Sequence, residues 1–523
     1  MKKRIIGLSL ALGVGSAGHA FAQGASASDA LQYSRLQFGG PARTQGIGGA
    51  NVALGADFGN LTSNPAGLGM YQKSEAHFTP GLGLGQGQAT IEGSTAPKLS
   101  EDKNSFHIGS LGLVLATHRA DNDQSSNWRG GAFALGFTRL ADFNTASRYQ
   151  GAINNNQSFL SRLKPDASVR DQNLFNDLDK QVADKSYNTR LGLAYGAYLA
   201  NIVSARNGTD SAVVLRRQGS VLNQGAVVIN SGSVSQFDLG YGANYRDRLF
   251  IGGAIGIVSS NFTQTRTLIE ADTDPNTHFN SLTDQSQLRT KGSGFNARVG
   301  LIYRASDIVR VGASVQTPTF MRLTDTFDEN LTSNFSAQGT DRVPQPGFPV
   351  GDTRVVRETN EFTYNLTTPF RANGGAAVTL GKHGFVTGDV EYVGYGQARL
   401  RTEIANVSDD AAFAIENSNI QSRYKSTVNV RFGAEGRFDI FRVRLGYARY
   451  GDPYKDDTNN QRVQNFYTAG AGLRQGNFFL DVAAVYTTLD QLYTPYSLQN
   501  GLQPSISVNN NRYTTSVTAG VTF

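Results

Sequence analysis

The chain has 523 residues, 48 basic and 42 acidic side chains, and no cysteine. Without cysteine there is no disulfide framework, no thiol catalysis and no cysteine-based metal site. A mean hydropathy of −0.32, with no apolar run of helix-spanning length beyond the extreme N-terminus, excludes a bundle of transmembrane helices. A modest net charge without a Lys/Arg block excludes a nucleic-acid footprint.

The first segment has the three parts of a secretory signal peptide. Lys2, Lys3 and Arg4 precede an apolar run from Ile5 to Ala17, and Ala20-Phe21-Ala22 supplies small residues for cleavage after Ala22. The run is too short for a membrane anchor. Residues 1–22 are therefore expected to be removed on export. That leaves 45 basic against 42 acidic side chains, a net charge of +3.

Residues 23–73 do not alternate. They carry Gly39-Gly40-Pro41-Ala42-Arg43, Gly46-Ile47-Gly48-Gly49-Ala50 and Asn64-Pro65-Ala66-Gly67-Leu68. A phosphate-cradling loop would need a strand leading into a helix and a fuller motif. A compact irregular segment built on tight turns is the better reading.

From residue 74 onward, apolar residues recur at every second position. Phe295, Ala297, Val299, Leu301 and Tyr303 alternate with Asn296, Arg298, Gly300 and Arg304. Val428, Val430, Phe432 and Ala434 alternate with Asn429, Arg431, Gly433 and Glu435. The pattern predicts strands near 74–93, 103–119, 128–151, 231–246, 248–270, 283–305, 308–325, 362–382, 384–401, 422–438, 441–454, 465–476, 477–490 and 511–523.

Alternation does not distinguish a soluble sandwich from a barrel in lipid, but connection length does. Links at Arg246-Asp247, Ser306-Asp307, Lys382-His383, Asp439 and Gln475-Gly476 are very short. The links between them are long. Transmembrane barrels have short periplasmic turns and long extracellular loops. The fold class predicted is all-β: a transmembrane antiparallel barrel of about fourteen strands over 74–523. The hairpin across 119–128 is the least regular.

The longest link, about 152–230, carries Phe159, Leu160, Leu163, Leu174, Phe175, Leu178 and Val182 at helical spacing. One or two amphipathic helices over the extracellular mouth are expected. Leu191 to Val203 fits helix or strand. Phe523 closes an alternating strand with an aromatic residue, an end that barrel-insertion machinery is expected to read.

These residues resemble the FadL/TodX/OmpP1 family of outer-membrane transporters. The likeness rests on Gly40-Pro41-Ala42-Arg43, Gly46 to Leu54, Asp57 and Asn64-Pro65-Ala66-Gly67-Leu68. Gln316 to Phe320, Leu366 to Arg371, Asp389 to Val393 with Tyr395, and Gly433 to Glu435 are similar to members of the Bacteroidetes type. The resemblance implies a fourteen-stranded barrel closed by an N-terminal hatch over 23–73, with Asn64, Pro65, Ala66 and Gly67 as its motif. It implies an outer-membrane location, contact with lipid and lipopolysaccharide, and passive uptake of hydrophobic small molecules such as long-chain fatty acids or aromatic hydrocarbons. It also implies a kink in the third strand that opens sideways into the bilayer. Gly130-Gly131 lies in that strand, and glycine inside a strand marks either a kink or close packing. The 152–230 insertion departs from better-known members.

Other chemistry is weakly indicated. Arg298, Arg304, Arg310, Arg371, Arg431, Arg437, Arg442, Arg444, Asp389, Glu391 and Glu435 fall on the predicted lumen face. They either meet a substrate carboxylate or pair with one another. Pairing is favoured, because barrel lumens are generally polar. His77, His107, His118, His278 and His383 stand in no nucleophile motif, so no catalytic residue and no cofactor are expected. Asp272-Thr273-Asp274 and Asp456-Asp457 lack calcium-loop spacing and read as solvated loop charge, with no metal site. The alternatives are a receptor or adhesin that works through its loops, with a filled lumen, and, less favoured, a hydrophilic porin. A transporter should instead hold a hydrophobic cavity contiguous with Asn64-Pro65-Ala66.

Overall fold

The computed structural model describes residues 25–523 except 121, 124, 164–173, 205–209, 215–220, 340–348, 404–406, 458–461 and 499–500. The signal segment 1–22 lies outside the described residues, as do parts of the 152–230 insertion.

Fourteen antiparallel strands form the wall. They are β1 (Glu75–Ile91), β2 (Leu99–His118), β3 (Trp128–Asp142, continued by Thr145–Ile153), β4 (Leu222–Tyr245), β5 (Leu249–Asp272) and β6 (Phe279–Arg304). Next come β7 (Val309–Gln316 and Phe320–Phe335), β8 (Gly351–Val356, Asn360–Thr367 and Arg371–Thr379) and β9 (Gly384–Gly394 and Arg399–Thr402). β10 (Ser426–Phe438), β11 (Phe441–Tyr450), β12 (Gln464–Gln475), β13 (Phe478–Tyr493) and β14 (Ile506–Thr522) complete the set. β1 pairs with β14 from Glu75 opposite Thr522 to Ile91 opposite Ile506, which closes the barrel. Closure pairs the first strand with the last, so neither leaves its edge open to hydrocarbon.

The strands match the alternating segments in number and order. Several are longer than the pattern predicts: β4 starts at Leu222 rather than 231, and β7 runs to Phe335 rather than 325. In these extensions the inward face mixes apolar residues such as Leu222, Ala226, Leu331 and Phe335 with polar ones such as Gln224 and Glu329, so the period-two contrast fades although the ladder continues. The hairpin across 119–128 forms, with Ser110 opposite Thr138 and His118 opposite Gly130.

The short turns use residues at positive φ. Arg246 and Asp247 sit at +56° and +55°, and Asp439 at +51°. A two-residue turn with both central residues in this region follows the twist of the flanking strands.

The apolar faces point outward. Phe106 is 76% exposed, Phe478 71% and Leu445 64%. Aromatic rings stand in two girdles. Tyr447, Tyr467, Tyr486 and Tyr513 lie side by side on neighbouring strands, with ring centroids 5.4, 6.3 and 4.5 Å apart. Phe295–Phe320 and Phe370–Tyr392 continue this girdle. At the short-turn end stand Trp128 and Tyr245, 5.2 Å apart, with exposed Phe438, Phe441, Phe478 and Phe523. From Tyr513 to Phe523 a strand covers roughly 33 Å at ~3.3 Å per residue. Tilt reduces this to about 25 Å, the height of an outer-membrane apolar belt.

Residues 25–73 lie within the ring. They form α1 (Ala27–Ser34), α2 (Ala42–Gly46), α3 (Asn60–Ser63) and a 3₁₀ turn, Pro65–Met70. Their backbone is bonded to inward-facing side chains around the wall. Ala42 N donates to Thr518 Oγ1 (2.7 Å) and Val52 N to Asp389 Oδ2 (2.9 Å). Thr468 donates to Gly46 O, Arg298 to Leu61 O, Arg310 to Leu54 O and Ser314 to Ser63 O. Two wall glycines show how closely the segment fits. A Cβ on Gly446 would lie 2.4 Å from Gly48 N, and one on Gly252 would lie 2.4 Å from Pro65 O.

The insertion between β3 and β4 caps the long-loop end. It contains α4 (Leu160–Leu163), α5 (Leu174–Asp184), α6 (Arg190–Gly196) and the strand pair Ala200–Ser204 and Asp210–Val214. Leu191 to Val203 is therefore helix first and strand second. Phe159, Leu160, Leu178 and Leu193 are buried, whereas Phe175 and Val182 are exposed. The apolar residues of the cap pack on the strand tops at Leu222, Leu268, Leu331, Phe335 and Ile506 and on Tyr496 of the loop between β13 and β14. Buried Glu329 ties the cap down, accepting from Arg190 and Arg357 at 3.2 Å each.

Candidate functional site

The wall is incomplete between β2 and β3. β3 pairs with β2 only below Ser110 and Thr138. From Leu99 to Gly109, β2 pairs with β1 on one side, and no strand pairs with its other side among the described residues. β3 has a register shift between Arg139 and Ala141 and is interrupted between Asp142 and Thr145. Among the described residues its upper half pairs with β4 alone, and it crosses the inner face of β1.

The inner face of β1 is built for this crossing. Gly81, Gly83, Gly85 and Gly87 all point inward. A Cβ on Gly87 would lie 2.0 Å from Ala146 O, inside any real contact distance. The stripe leaves room for the diverted strand.

Arg512 of β14 joins both lips of the break. Its Nη1 donates to Asn144 O (2.7 Å); its Nη2 donates to Ser105 Oγ (2.5 Å) and pairs with Asp142 Oδ2 (3.0 Å). Arg139 also pairs with Asp142, at 3.1 Å. Arg512→Met is expected to loosen the diverted segment by about 1–3 kcal/mol, the cost of losing charged hydrogen bonds. Hydrogen exchange at residues 142–146 should accelerate, with the β13–β14 ladder unchanged; equal protection in both proteins would refute the latch.

Behind the break lies a cavity of about 420 Å³. Phe38, Leu140, Phe143, Phe262 and Phe466 supply apolar walls, and Arg35, His107, Arg139, Asp142 and Arg512 supply polar ones. A smaller void of about 50 Å³ lies deeper, between Gly39, Thr44, Asn51 and the charges Arg298, Arg371, Glu391 and Arg431. That volume suits one or two waters.

The expectation of a hydrophobic cavity contiguous with Asn64-Pro65-Ala66 needs correction. The larger cavity borders the N-terminal segment at residues 28–45, and its lining is mixed. Asn64 has a structural environment: its side chain accepts from Ala66 N (3.2 Å) and donates to Val52 O (2.8 Å) and Leu301 O (3.1 Å). Pro65 and Ala66 pack against Gly252, Phe250 and Ile302, and a Cβ on Gly67 would meet Asn60 at 2.5 Å. No space remains there for a ligand. Gly130 and Gly131 stand at the short-turn end of β3. A register shift separates Trp128 from Gly130, and a Cβ on Gly131 would meet Gly242 O at 2.5 Å. The interruption of β3, between Asp142 and Thr145, lies farther along, in the middle of the strand.

Most of the inward charges are paired, whereas Arg310 and Asp389 bond to the backbone of the N-terminal segment at Leu54 and Val52. Glu391 accepts from Arg431 (2.7 Å) and Arg371 (3.1 Å). Glu435 accepts from Arg444 (2.7 Å) and Arg437 (2.8 Å), and Arg444 also reaches Asp481 (2.7 Å). Arg304 pairs with Asp307 at 3.4 Å, and Arg442 donates to backbone carbonyls at the Asp439 turn. Arg43 of the N-terminal segment joins the network through Asp57 (3.4 Å) and Glu435 (3.7 Å). Burial disfavours its charge, but Glu435 and Asp57 outweigh that and hold the guanidinium protonated. Among the described residues no cluster of three potential metal ligands occurs. Asp272 and Asp274 instead shape their own loop, and Asp456 pairs with Arg462.

Sequence reading did not single out Arg139, Asp142, Arg512 or the β1 glycines. One signal was available: Gly-x-Gly-x-Gly-x-Gly from Gly81 to Gly87 leaves one strand face without side chains.

This is a fourteen-stranded barrel with residues 25–73 inside its ring and a gap in its wall beside a cavity. Solved structures share the fold. A Pseudomonas aeruginosa FadL homologue matches at TM-score 0.51 and 11% identity, covering 92% of this chain and 98% of its own. The toluene transporters TodX of P. putida and TbuX of Ralstonia pickettii match at TM-score 0.50, with 12% and 13% identity, 93% of this chain and 99% of theirs. No family model and no curated protein matches the sequence.

Proposed function

We propose that this protein is an outer-membrane transporter for passive uptake of hydrophobic small molecules. Residues 25–73 act as the hatch, the cavity beside it holds the molecule, and the β2–β3 break releases it sideways into lipid. The observation that carries this reading is the break itself, whose lower part, Phe106 to Gly109, lies within the apolar belt below the level of Tyr513, and which the cavity backs. A wall whose only task was to display loops would have no reason to leave eleven residues of β2, Leu99 to Gly109, without a neighbour. Toluene transporters and a FadL homologue with this fold support the same class of cargo. The mixed lining, with Phe38, Phe143 and Phe466 beside Arg35, Arg139 and Arg512, suits an amphipathic acid as well as a hydrocarbon. No step of this process requires a catalytic residue.

Deleting residues 23–60 is expected to change the rate of hydrophobic uptake while the barrel stays inserted. Uptake by proteoliposomes and heat-modifiable migration on gels measure the two. An inserted barrel with unaltered kinetics would argue against transport past the hatch. Mass spectrometry of organic extracts from the purified protein would identify the cargo class.

A further inference from the structure

The wall has a second irregularity, across the barrel from the first. β7, β8 and β9 are all interrupted, at 317–319, 368–370 and 395–398. Two of the interruptions hold Pro318 and Pro369, which cannot donate to a ladder. Beside them stand Phe320, Phe370 and Tyr392 of the outer aromatic girdle. Below the interruption β9 pairs with β10, up to Gly394 opposite Ser426. Above it, among the described residues, Arg399–Thr402 pairs only with β8, from Thr402 opposite Tyr364 to Arg399 opposite Thr367.

The free edge of that segment is covered by a helix, α7 (Val407–Arg423). One side chain stands in for the missing strand. Asn417 Oδ1 accepts from Leu400 N (2.8 Å), and its Nδ2 donates to Leu400 O (2.9 Å). Thr402 Oγ1 adds a bond to Asp410 Oδ1 (2.9 Å). Beneath the helix, Phe413 and Ile420 are buried against Tyr364, Leu366 and Leu400. The same apolar cluster continues to Leu31 of α1 and to Phe262, and both of those line the 420 Å³ cavity. α7 is also joined to the N-terminal segment, where Ala27 N donates to Glu416 Oε2 (2.8 Å).

We propose that α7 is a movable shutter over a second opening in the wall, through which hydrophobic molecules at the outer-leaflet boundary reach the cavity. A continuous ladder resists opening along its whole length. Among the described residues, this edge meets the helix through the Asn417 amide, the Thr402 hydroxyl and the buried Phe413 and Ile420. The last turn of the helix is anchored separately by Lys455, which donates to Gln421 O and Arg423 O. The cap packs on the strand tops at the upper mouth, whereas the helix covers the side. When α7 lifts, it uncovers an apolar strip, Tyr364, Leu366 and Leu400, that leads to Leu31. The Glu416–Ala27 bond would transmit the motion to α1, which borders the cavity.

The inference rests on the uptake reading, and the test separates the two. The chain has no cysteine, so engineered thiols are unambiguous. T402C/D410C places two thiols where a hydrogen bond now joins the side chains. Oxidised, it should take up N-phenyl-1-naphthylamine into proteoliposomes at least about fivefold more slowly than reduced, as expected when a lid sets the rate; dithiothreitol should restore it. Equal rates, with the disulfide verified by peptide mass, would overturn the shutter and leave the uptake proposal standing. A parent protein no faster than empty vesicles would overturn both. A second readout does not use transport. The single thiol of the I420C variant should react with a maleimide faster when N417A is added, with heat-modifiability unchanged. The same slow labelling in both backgrounds would equally overturn the shutter.

Discussion

Gly87→Val is expected to slow hydrophobic uptake about tenfold, equivalent to ~1.4 kcal/mol on the barrier, with the barrel still assembled. The new Cβ would lie 2.0 Å from Ala146 O. That atom is backbone, so it cannot step aside as the end of a flexible side chain can. The strand holding Gly87 is fixed on both edges, opposite Glu101 and Asn510, and valine favours a strand. The diverted half of β3 is the part that must move. Pushed off the inner face of β1, it displaces Asn144 from Arg512 and narrows the break. Gly374→Ala is the matched control, because the nearest atom to its Cβ is an outward valine methyl at 3.7 Å. Uptake should be unchanged in the control. Normal uptake by an inserted Gly87→Val protein would show that the diversion of β3 has no part in transport.

Glu391→Gln is expected to destabilise the barrel by about 3–5 kcal/mol, the usual cost of breaking a buried ion pair from one side. Glu391 is buried and accepts from Arg371, Arg431 and Asn429. The amide would leave two guanidinium groups without their shared carboxylate. Arg371 also donates to Ser34 O in the N-terminal segment, so the segment should loosen with the wall. Urea unfolding in detergent measures the first effect, and protease sensitivity near residues 34–38 measures the second. Replacing all three charges, as in Glu391→Leu with Arg371→Met and Arg431→Leu, should recover at least roughly half of the loss, since the penalty lies in unpaired charge. If the triple variant were no more stable than Glu391→Gln, the cost would have to come from packing.

Whatever repeats locally could be read from the chain alone. Alternation places Phe295, Val299 and Leu301 on one side and Arg298 on the other, and short turns at Arg246-Asp247 and Asp439 fix the hairpins. Strand count, order and the outward apolar belt follow, because a one-residue slip would put arginine into lipid. The helical spacing of Phe159, Leu160 and Leu178 was legible for the same reason, as an amphipathic pattern needs only nearby residues. Pairing of the lumen charges was legible in kind but not in partners. Where the wall opens is set by the three-dimensional fold. Arg139 to Thr145 reads as continuous strand, and what diverts it is the glycine face of β1, more than fifty residues earlier, with Arg512 at the far end of the chain. Likewise Asn417 is an ordinary helical asparagine until the fold brings the free edge of Leu400 beside it. Such sites depend on contacts between distant segments, and no local pattern encodes those contacts.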